Sequence, residues 1–456
     1  MSTRTQAVVD GIREMIASGA LKVGARAPSI RQAAEEFDVS KNTVIEAYDR
    51  LVAAGLLVAR QGSGFTVTEP PSDVQPLRPS RVAEAVDIAT LLRAQLEESF
   101  SVRVGDGRPP PSWTEEPEVR RRLRLYGLSR PSSEDGYGSA MGLPVLRDKI
   151  ARSFLAKEVH CGPSQVLLTF GANHALDLIA RHFLTPGDVA LVDDPGYYPL
   201  FAKLTLAQVK IVGVARTERG PDLEDLAQKI ENERPKIFFT QSVSQNPTGS
   251  STTLASAHAL LNIIAKRQIM VVQDEPFIDL PDCKGVDLAT LDQLQSVITV
   301  GTFAKTLSAN LRCGYILARS DIIASLADLK MLTTVNSSGH IERLVHGLLD
   351  DGRYRKHLNR LAGRIAKATD NVVENLERRG LELFTAPTGG YYVYLKLPNG
   401  IDDIEYAKVA ARDGLFIAPG SVFCVDRRSE AAGMRVNVAR ADDVRFYDFL
   451  SRTLKV

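Results

Sequence analysis

Two charged side chains that each follow a predicted strand have the clearest potential for covalent chemistry. Lys305 comes shortly after the run VITV, and Asp274 ends the run IMVVQD. A lysine at a strand end can lose its charge by desolvation and attack an aldehyde as a free amine. A carboxylate such as Asp274 can keep a pyridine nitrogen protonated, which preserves an electron sink. The pair therefore indicates imine chemistry at a pyridine-containing aldehyde.

A turn of small and polar residues supplies a candidate anion cradle. Gly171, Ala172 and Asn173 join the strand pattern QVLLTF to the helix pattern HALDLIARHFL. A glycine turn at a helix N-terminus exposes N–H groups and the positive end of the helix dipole to a phosphate. Thr302 and Arg312, on either side of the lysine, could complete the cradle, and the arginine suits a forked contact. These residues predict a phosphate site close to the lysine.

Three further residues could hold the ring of a cofactor and the ligand that reacts with it. Tyr197, in the sequence DDPGYY, could stack on an aromatic ring, and Asn246, in NPTG, could donate to a ring hydroxyl. A lysine, a carboxylate, an aromatic face and an anion cradle are together the requirements of pyridoxal 5'-phosphate, which is the predicted cofactor. Arg435, in GMRVN, could bind a carboxylate, or it could pair with an acidic side chain and only support the fold.

The predicted strands explain why these residues would meet. The patterns QVLLTF, DVALVD, KIFFTQ, IMVVQDE and VITVGTF alternate with amphipathic helices. This alternation predicts an α/β domain with a mostly parallel sheet. Ligands of such sheets lie beyond the carboxyl ends of the strands. The candidate lysine, aspartate, asparagine, tyrosine and glycine each follow one of these strands, so we expect them to lie at one edge of the sheet.

The order of these segments resembles that of fold-type I aminotransferases of the aspartate aminotransferase superfamily. The similarity is carried by YG at 137–138, SQNPTG at 244–249 and TFAKTLSANLR at 302–312. Phe277 stands where transaminases carry a tyrosine after the pyridine aspartate, and Ala304 lacks the hydroxyl that relatives often have before the lysine. Both departures remove polar support from the cofactor. We therefore expect imine exchange with little turnover, and whether the chain is an enzyme stays uncertain.

The N-terminal region has the pattern of a helix-turn-helix. A first helix over about residues 1–18 is followed by glycine-containing turns and a short second helix. Ser40 can cap a third helix that starts at Lys41. A short connection between two short helices is typical of modules that place the later helix in the major groove of DNA. Lys41, Asn42 and Thr43 would then lie where side chains meet bases or phosphates.

The same region resembles the GntR-type winged helix. Three segments carry the resemblance: RAPSIR at 26–31, VSKNTV at 39–44 and GLLVARQGSG at 55–64. The resemblance implies that Arg31, Lys41, Thr43 and the hairpin wing around Gly62 contact DNA. The family often carries arginine at position 41, and a lysine there favours a phosphate contact over a forked contact with guanine. The alternative is a three-helix module that only packs on the other domain.

Length and composition limit the possible organisation. A chain of 456 residues is too long for one core, and prolines at 70, 71, 76 and 79 favour an extended linker. We expect a winged helix-turn-helix domain over 1–68, a linker over 69–95 and an aminotransferase-like domain over 96–456. The four cysteines have no paired spacing, and no apolar run approaches the roughly 20 residues of a membrane helix. We therefore expect a cytoplasmic protein with no metal site and no membrane contact.

Over essentially its whole length the chain resembles the MocR subfamily of GntR regulators. The resemblance implies a head-to-tail homodimer that binds operator DNA and senses an amino-acid-like effector through imine exchange at Lys305, with Arg435 holding the effector's carboxylate. Two alternatives use the same residues: an active aminotransferase with an accessory DNA-binding domain, and a sensor of the pyridoxal phosphate level that controls vitamin B6 genes. The sequence leaves the effector, the operator and the sign of regulation open.

Overall fold

The computed structural model describes residues 4–60, 64–68, 80–88, 90–97, 100–114, 117–127, 136–350, 352–426 and 432–455. The chain divides into two compact units, Met1–Arg78 and Pro79–Val456. The predicted wing tip at Gly62 and the proline-rich segment 69–79 lie outside the described residues.

The small unit is a three-helix module followed by a two-stranded antiparallel hairpin. Its elements are α1 (Arg4–Ala17), α2 (Ile30–Glu36), α3 (Lys41–Ala53), β1 (Leu57–Arg60) and β2 (Gly64–Val67). Ser29 and Gln32 form a reciprocal capping box at the start of α2. At the start of α3, the Ser40 hydroxyl accepts the Thr43 N–H at 3.2 Å. These caps satisfy backbone donors that a helix leaves free, and α3 begins at Lys41, where the sequence predicts.

Tyr48, on α3, joins the helices of the small unit to its hairpin. The side chain is fully buried, and its ring meets that of Phe65 edge-on at 4.9 Å between centroids. Its hydroxyl donates to the carbonyl oxygen of Pro28 at 2.8 Å. Burial raises the pKa of this phenol to about 12, so the hydroxyl keeps its proton and the bond persists. The helix that begins at Lys41 is thereby fixed on the core of the small unit.

The large unit contains an eight-stranded sheet and a separate three-stranded antiparallel sheet. The strands of the large sheet are β3 (Val166–Thr169), β4 (Val189–Asp194), β5 (Lys210–Thr217), β6 (Gly220–Pro221), β7 (Ile237–Thr240), β8 (Met270–Asp274), β9 (Val297–Thr302) and β10 (Gly314–Leu317). They lie in the order β3-β10-β9-β8-β7-β4-β5-β6, with parallel pairing from β9 to β5 and β10 antiparallel to both neighbours. The small sheet comprises β11 (Tyr392–Lys396), β12 (Ala418–Pro419) and β13 (Gly433–Asn437). The predicted α/β fold with a mostly parallel sheet is confirmed.

Helices cover both faces of the large sheet. The helices of the large unit in the described residues are α4 (Ser80–Ile88), α5 (Thr90–Glu97), α6 (Pro111–Thr114), α7 (Pro117–Gly127), α8 (Pro144–Leu155), α9 (Ala172–Phe183), α10 (Tyr198–Leu206), α11 (Leu223–Glu233), α12 (Leu254–Arg267), α13 (Leu288–Asp292), α14 (Ser320–Thr334), α15 (Gly339–Asp350), α16 (Arg353–Glu377), α17 (Asp403–Arg412) and α18 (Val444–Leu454). The last three of these share a core with the small sheet instead. Along β7, Phe238 lies in one apolar core and Phe239 in the other. Burial on both faces explains why the central strands are apolar throughout. Among the described residues, none of these helices is long and apolar enough to span a membrane.

The segment after the prolines differs from the predicted linker, which extended to residue 95. Helices α4 and α5 occupy residues 80–88 and 90–97, and Ala85 and Leu91 are buried. Helix α4 packs against α10 within the large unit. The last proline of the linker pattern is Pro79, and the sequence after it is amphipathic with no further helix-breaking residue. Residues 80–97 therefore belong to the large unit, and for the proline-bearing stretch the linker stays a prediction.

Glu275, directly after β8, is a buried carboxyl group in the large unit. Its Oε1 accepts the Ser242 N–H at 2.7 Å and also the Ser242 hydroxyl. Its Oε2 has no partner in the part of the chain that the structure describes. Burial raises the pKa of Glu275 to about 8, although the hydrogen bond from Ser242 acts against this shift. The folded protein therefore holds a proton here at pH values where an exposed glutamate has lost it.

We expect Glu275→Gln to remove a pH-dependent part of the stability. Because the folded pKa lies above the ordinary 4.5, this proton stabilises the fold at low pH, and the contribution is lost as the pH rises towards 8. Between pH 4.5 and pH 8, the free energy of unfolding of the wild-type apo-protein, measured in urea, should fall by at least about 1 kcal/mol more than that of the variant. Glu382→Gln, at an exposed position, is the control. A wild-type-minus-variant difference that is the same at both ends of the range would contradict the assignment.

Candidate functional site

Asp274, the last residue of β8, has a buried carboxylate of which only one oxygen accepts a hydrogen bond from the described residues. Its Oδ2 accepts from the side-chain amide of Gln241 at 2.9 Å. Its Oδ1 is buried and has no partner among the described residues. Burial raises the pKa of Asp274 to about 6, while the Gln241 hydrogen bond and the charge of Lys305 lower it. Because a buried oxygen without a donor is costly, this atom fits the N–H of a protonated pyridine ring.

Lys305 lies just beyond the carboxyl end of β9, on the same edge of the sheet. Its ammonium group donates to the carbonyl oxygen of Gly107, and its own carbonyl oxygen accepts from the Tyr391 hydroxyl at 2.9 Å. No carboxylate of the described residues forms a salt bridge with it. Because this amino group is held by a neutral acceptor, it can move to a reacting carbon without breaking an ion pair.

The turn between β3 and α9 has the features of an anion site. Gly171 caps α9 with φ +81°, and a Cβ there would lie 3.3 Å from Arg312 Nη2. The guanidinium of Arg312 donates to the Phe170 carbonyl oxygen at 2.9 Å, so it lies beside the N-terminus of α9. Burial lowers the pKa of His174 to about 4, and its ring is therefore neutral. The positive charge at this turn comes from Arg312 and the helix dipole.

Thr302 supports the turn that carries the lysine, whereas Tyr197 and Asn173 are joined by a hydrogen bond. The Thr302 hydroxyl accepts the Ala304 N–H at 3.2 Å and donates to the Cys313 carbonyl oxygen at 3.4 Å, so it supports the turn that carries the lysine. The Tyr197 hydroxyl donates to Asn173 Oδ1 at 3.4 Å. Burial raises the pKa of Tyr197, with the charge of Asp274 adding to the shift. Tyr197 and Asp274 both line a small cavity at the ends of β4 and β7.

Arg435, on β13, is a buried cation without an acidic partner in the described part of the chain. It is 1% exposed and lies between the rings of Tyr392 and Phe423, each 4.9 Å from its central carbon. Its guanidinium donates to Asn246 Oδ1 at 2.8 Å and to the Gly105 carbonyl oxygen at 2.7 Å, and its Nε has no partner. Neutral acceptors do not balance a buried charge, so the site favours an anion.

Several residues of this site are not among those predicted from the sequence. The carbonyl oxygens of Gly105 and Gly107 hold Arg435 and Lys305. A Cβ at Gly105 would lie 2.4 Å from the Ala418 backbone nitrogen, which explains the glycine there. No motif marks this segment in the sequence. Gln241, in contrast, follows a predicted strand like the other site residues, and its position could have identified it.

Phe277 lies where its sequence position predicts, near the cofactor residues. It is fully buried, and its ring meets those of Tyr391 and Tyr392 edge-on, each at 5.6 Å between centroids. A phenylalanine offers no hydrogen bond to a ring oxygen. The Tyr392 hydroxyl does not replace one, because it donates to the Gly107 carbonyl oxygen at 2.7 Å.

In the small unit, Ser40 and the three residues after it, all predicted to contact DNA, lie at the start of α3. Lys41 and Asn42 are exposed in its first turn. The Ser40 hydroxyl lies 2.8 Å from that of Thr43, so these two residues share the helix cap. Arg31, on α2, is exposed and lies 3.4 Å from Glu35, a pairing that solvent screens and phosphates can replace.

Each of the two units matches a known protein family. Residues 102–451 match the family of class I and II aminotransferases, and residues 4–67 match the gntR family of bacterial regulatory proteins. The chain is 30% identical over 433 residues to the probable rhizopine catabolism regulatory protein MocR of Rhizobium meliloti, covering 90% of this chain and 84% of the relative. This chain is a MocR-type regulator of the gntR family. The uncharacterized HTH-type regulator YisV of Bacillus subtilis is 25% identical over 426 residues, 90% of this chain and 88% of YisV.

Solved structures resemble the large unit of this MocR-type chain. Kynurenine aminotransferase of Pyrococcus horikoshii superposes with a TM-score of 0.75 at 24% identity, covering 84% of this chain and 97% of the enzyme. LysN, an α-aminoadipate aminotransferase of Thermus thermophilus complexed with N-(5'-phosphopyridoxyl)-L-leucine, gives 0.73 at 25% identity, with 83% and 97% covered. Family membership and the unpaired oxygen of Asp274 indicate pyridoxal phosphate as the cofactor, and the gntR domain indicates DNA binding.

We expect Lys41→Ala to weaken DNA binding by losing a phosphate contact. For a short mixed-sequence duplex, the slope of log affinity against log salt should fall by about one, because about one counterion is released per neutralised phosphate. Arg31→Ala should act in the same direction. Lys408→Ala, an exposed lysine on α17 of the large unit, is the matched control. An unchanged salt slope in Lys41→Ala would place the phosphate contacts elsewhere.

Proposed function

We propose that this MocR-type regulator senses an amino-acid-like effector with pyridoxal phosphate bound covalently to Lys305. Arg435 carries the proposal: it is a buried guanidinium at the site whose contacts are two neutral oxygens and two aromatic rings. Such a group binds a carboxylate more strongly than any uncharged ligand because the cost of burying its charge has already been met by the fold. A ligand with both an amine and a carboxylate can therefore take the place of Lys305 at the cofactor and bind Arg435 at the same time.

The residues of the site have distinct roles towards the cofactor. When bound, pyridoxal phosphate supplies an aldehyde carbon at which another primary amine can take the place of Lys305. Asp274 Oδ1 would accept the ring N–H, and Tyr197 would cover one face of the ring. Asn246 has its side-chain nitrogen available for the ring oxygen, because its Oδ1 already accepts from the arginine. The residues that would hold the phosphate are Gly171, Ala172, Asn173, Thr302 and Arg312.

The side chains around the cofactor favour sensing over turnover. Phe277 and Ala304 supply no hydroxyl to the site. One missing neutral hydrogen bond is worth roughly 0.5–1.5 kcal/mol, which slows catalysis up to about tenfold without abolishing it. A regulator needs only differential affinity of the effector for two states of the protein, and this does not require chemistry to reach completion.

DNA recognition and assembly complete the proposed function. Lys41, Asn42 and Thr43 on α3, with Arg31 and the wing at Gly62, contact the operator. The partner in a head-to-tail homodimer is a second copy of the chain. Apolar side chains on the surface of the large unit support a self-association surface: Leu332 is 80% and Tyr137 is 89% exposed, with Met331 and Val335 exposed beside Leu332. Patches of this kind mark protein interfaces more often than free surfaces.

We expect Lys305→Ala to lose the covalent attachment of the cofactor. The wild-type protein loaded with pyridoxal phosphate and reduced with borohydride should yield a labelled peptide that contains Lys305. Lys330→Met is a control, because Lys330 is fully buried and donates to Ala140, Leu168 and Ser337 outside the site. Label on any other lysine in the wild type would refute the assignment.

We expect Arg435→Ala to abolish discrimination between amines with and without a carboxylate. Two pairs in which a methyl group replaces the carboxylate test this: L-alanine against isopropylamine, and β-alanine against propylamine. In the wild type, the concentration that half-changes the cofactor absorbance should be at least about tenfold lower for the amino acid of each pair, since a buried charge pair is worth about 2–5 kcal/mol.

In Arg435→Ala the preference should disappear, and Arg435→Lys should restore part of it because an ammonium lacks the forked geometry. Arg319→Ala, an exposed arginine on the same unit, is the matched control. Equal responses of the wild type to both members of a pair would show that the anion is bound elsewhere.

A further inference from the structure

Gln241, at the carboxyl end of β7, contacts both the ring-nitrogen carboxylate and the loop that carries Asn246. Its side-chain nitrogen donates to Asp274 Oδ2 at 2.9 Å, and its Oε1 accepts the backbone N–H of Asn246 at 2.8 Å. A backbone N–H can only donate, so it fixes which end of the amide is the oxygen. The amide nitrogen must then face Asp274. The orientation of Gln241 is therefore set by its contacts.

This orientation determines which oxygen of Asp274 is free. With Oδ2 occupied by Gln241, the other oxygen is the one left without a partner. Gln241 also favours the ionised form of Asp274, because its hydrogen bond to the charged form opposes the effect of burial on a pKa that is about 6. The other ionisable groups around Asp274 are Lys305, whose charge lowers the pKa, together with Tyr197 and Glu275.

Asn246 connects Gln241 to Arg435, which we call the effector anchor because it is the residue proposed to bind the effector's carboxylate. Its backbone N–H donates to Gln241, while its side-chain Oδ1 accepts from Arg435 at 2.8 Å. All four residues of this series are buried, with exposures of 1% for Arg435, 5% for Asn246, 6% for Gln241 and 8% for Asp274. Hydrogen bonds in such surroundings are electrostatically strong and are not replaced by water.

The backbone beneath Gln241 is held independently of the site. Its N–H donates to Asp193 Oδ2 at 3.0 Å, and Asp193 pairs with the buried Arg216 at 3.3 Å. These contacts hold the strand end in place independently of Arg435. The hydrogen-bonded route from Arg435 to Asp274 runs instead through the Asn246 loop and the Gln241 amide.

We propose that Gln241 is a positioning residue that couples the carboxylate of Asp274 to the effector anchor Arg435 through Asn246. The coupling to the anchor rests on the proposed function, because it requires a carboxylate-bearing ligand at Arg435. The positioning of Asp274 does not, since its hydrogen bond to Gln241 is made by the chain alone. The two parts can therefore be tested separately.

The first test measures Asp274 in the apo-protein. The folded pKa of Asp274 lies above the ordinary 3.8, so its contribution to stability is lost as the pH rises through about 6. In Gln241→Leu this loss should occur about one pH unit higher, because a hydrogen bond to the charged form has been removed. The measurement is the free energy of unfolding in urea against pH. Gln241→Asn, whose amide is too short for both contacts, serves as the second variant if the leucine variant does not fold.

The matched control for this test is Gln273→Leu. Gln273 is fully buried on β8 next to Asp274 in sequence, but its side chain contacts Thr299 and Asp287 instead. It should leave the Asp274 transition near pH 6. A transition that stays in place in both Gln241 variants would overturn the positioning role, whether or not Lys305 binds the cofactor.

The second test is a double-mutant cycle in the holo-protein with L-alanine as the probe. Gln241→Leu should weaken the L-alanine response about five- to tenfold in the wild-type background and less than about twofold when Arg435 is alanine. Independent effects in the two backgrounds would overturn the coupling and leave the effector assignment standing. Absence of a borohydride-stable label on Lys305 would instead overturn the proposed function, while the apo-protein profile would still decide the role of Gln241.

Discussion

The buried carboxylate of Asp274 is the group on which the rest of the site depends. Burial raises its pKa, and although Gln241 and Lys305 act against this shift, the pKa remains about 6, above the ordinary value. Gln241 occupies one oxygen, and the other has no partner among the described residues. The position of Gln241 depends in turn on Asp193 and Arg216 below it. The chemistry at the ring nitrogen is thus set by a series of buried contacts that reaches into the sheet.

Much of this arrangement follows from strand order and could be predicted from the sequence. The strands β3, β4, β7, β8 and β9 were predicted from apolar runs. Parallel pairing aligns β4, β7, β8 and β9, and β10, antiparallel to both β9 and β3, gives β3 the same direction, so all five carboxyl ends lie at one edge. Asp274 and Lys305 each lie at or just beyond such an end, so chain position alone indicated that they would meet. The helix caps at Ser29 and Ser40 were predictable for a similar reason, because capping depends on residues close together in sequence.

Other features depend on contacts between distant segments, and local patterns do not contain them. Gly105 and Gly107 reach Arg435 and Lys305 only because the segment before α6 lies against β12 and β13. The linker prediction failed beyond Pro79 because proline content marks where helices are excluded, but not where an amphipathic segment finds an apolar surface to pack on. Whether Arg435 would pair with an acidic side chain was equally undecided by the sequence, and the described structure supplies only neutral acceptors.

The surroundings of Arg435 show how occupation of the anchor affects more than one segment. Phe423 covers the guanidinium, and its carbonyl oxygen accepts the Gly196 N–H at 2.7 Å, next to Tyr197. Val425, two residues later, donates its N–H to Asp194 at 3.3 Å at the end of β4. Under the proposed function, a ligand that draws the guanidinium away from Asn246 would act on the Phe423 segment, on the Tyr197 loop and on Gln241 together. Because these segments share hydrogen bonds, we expect a ligand whose affinity differs between their arrangements to shift them together, which is the physical requirement for a sensor.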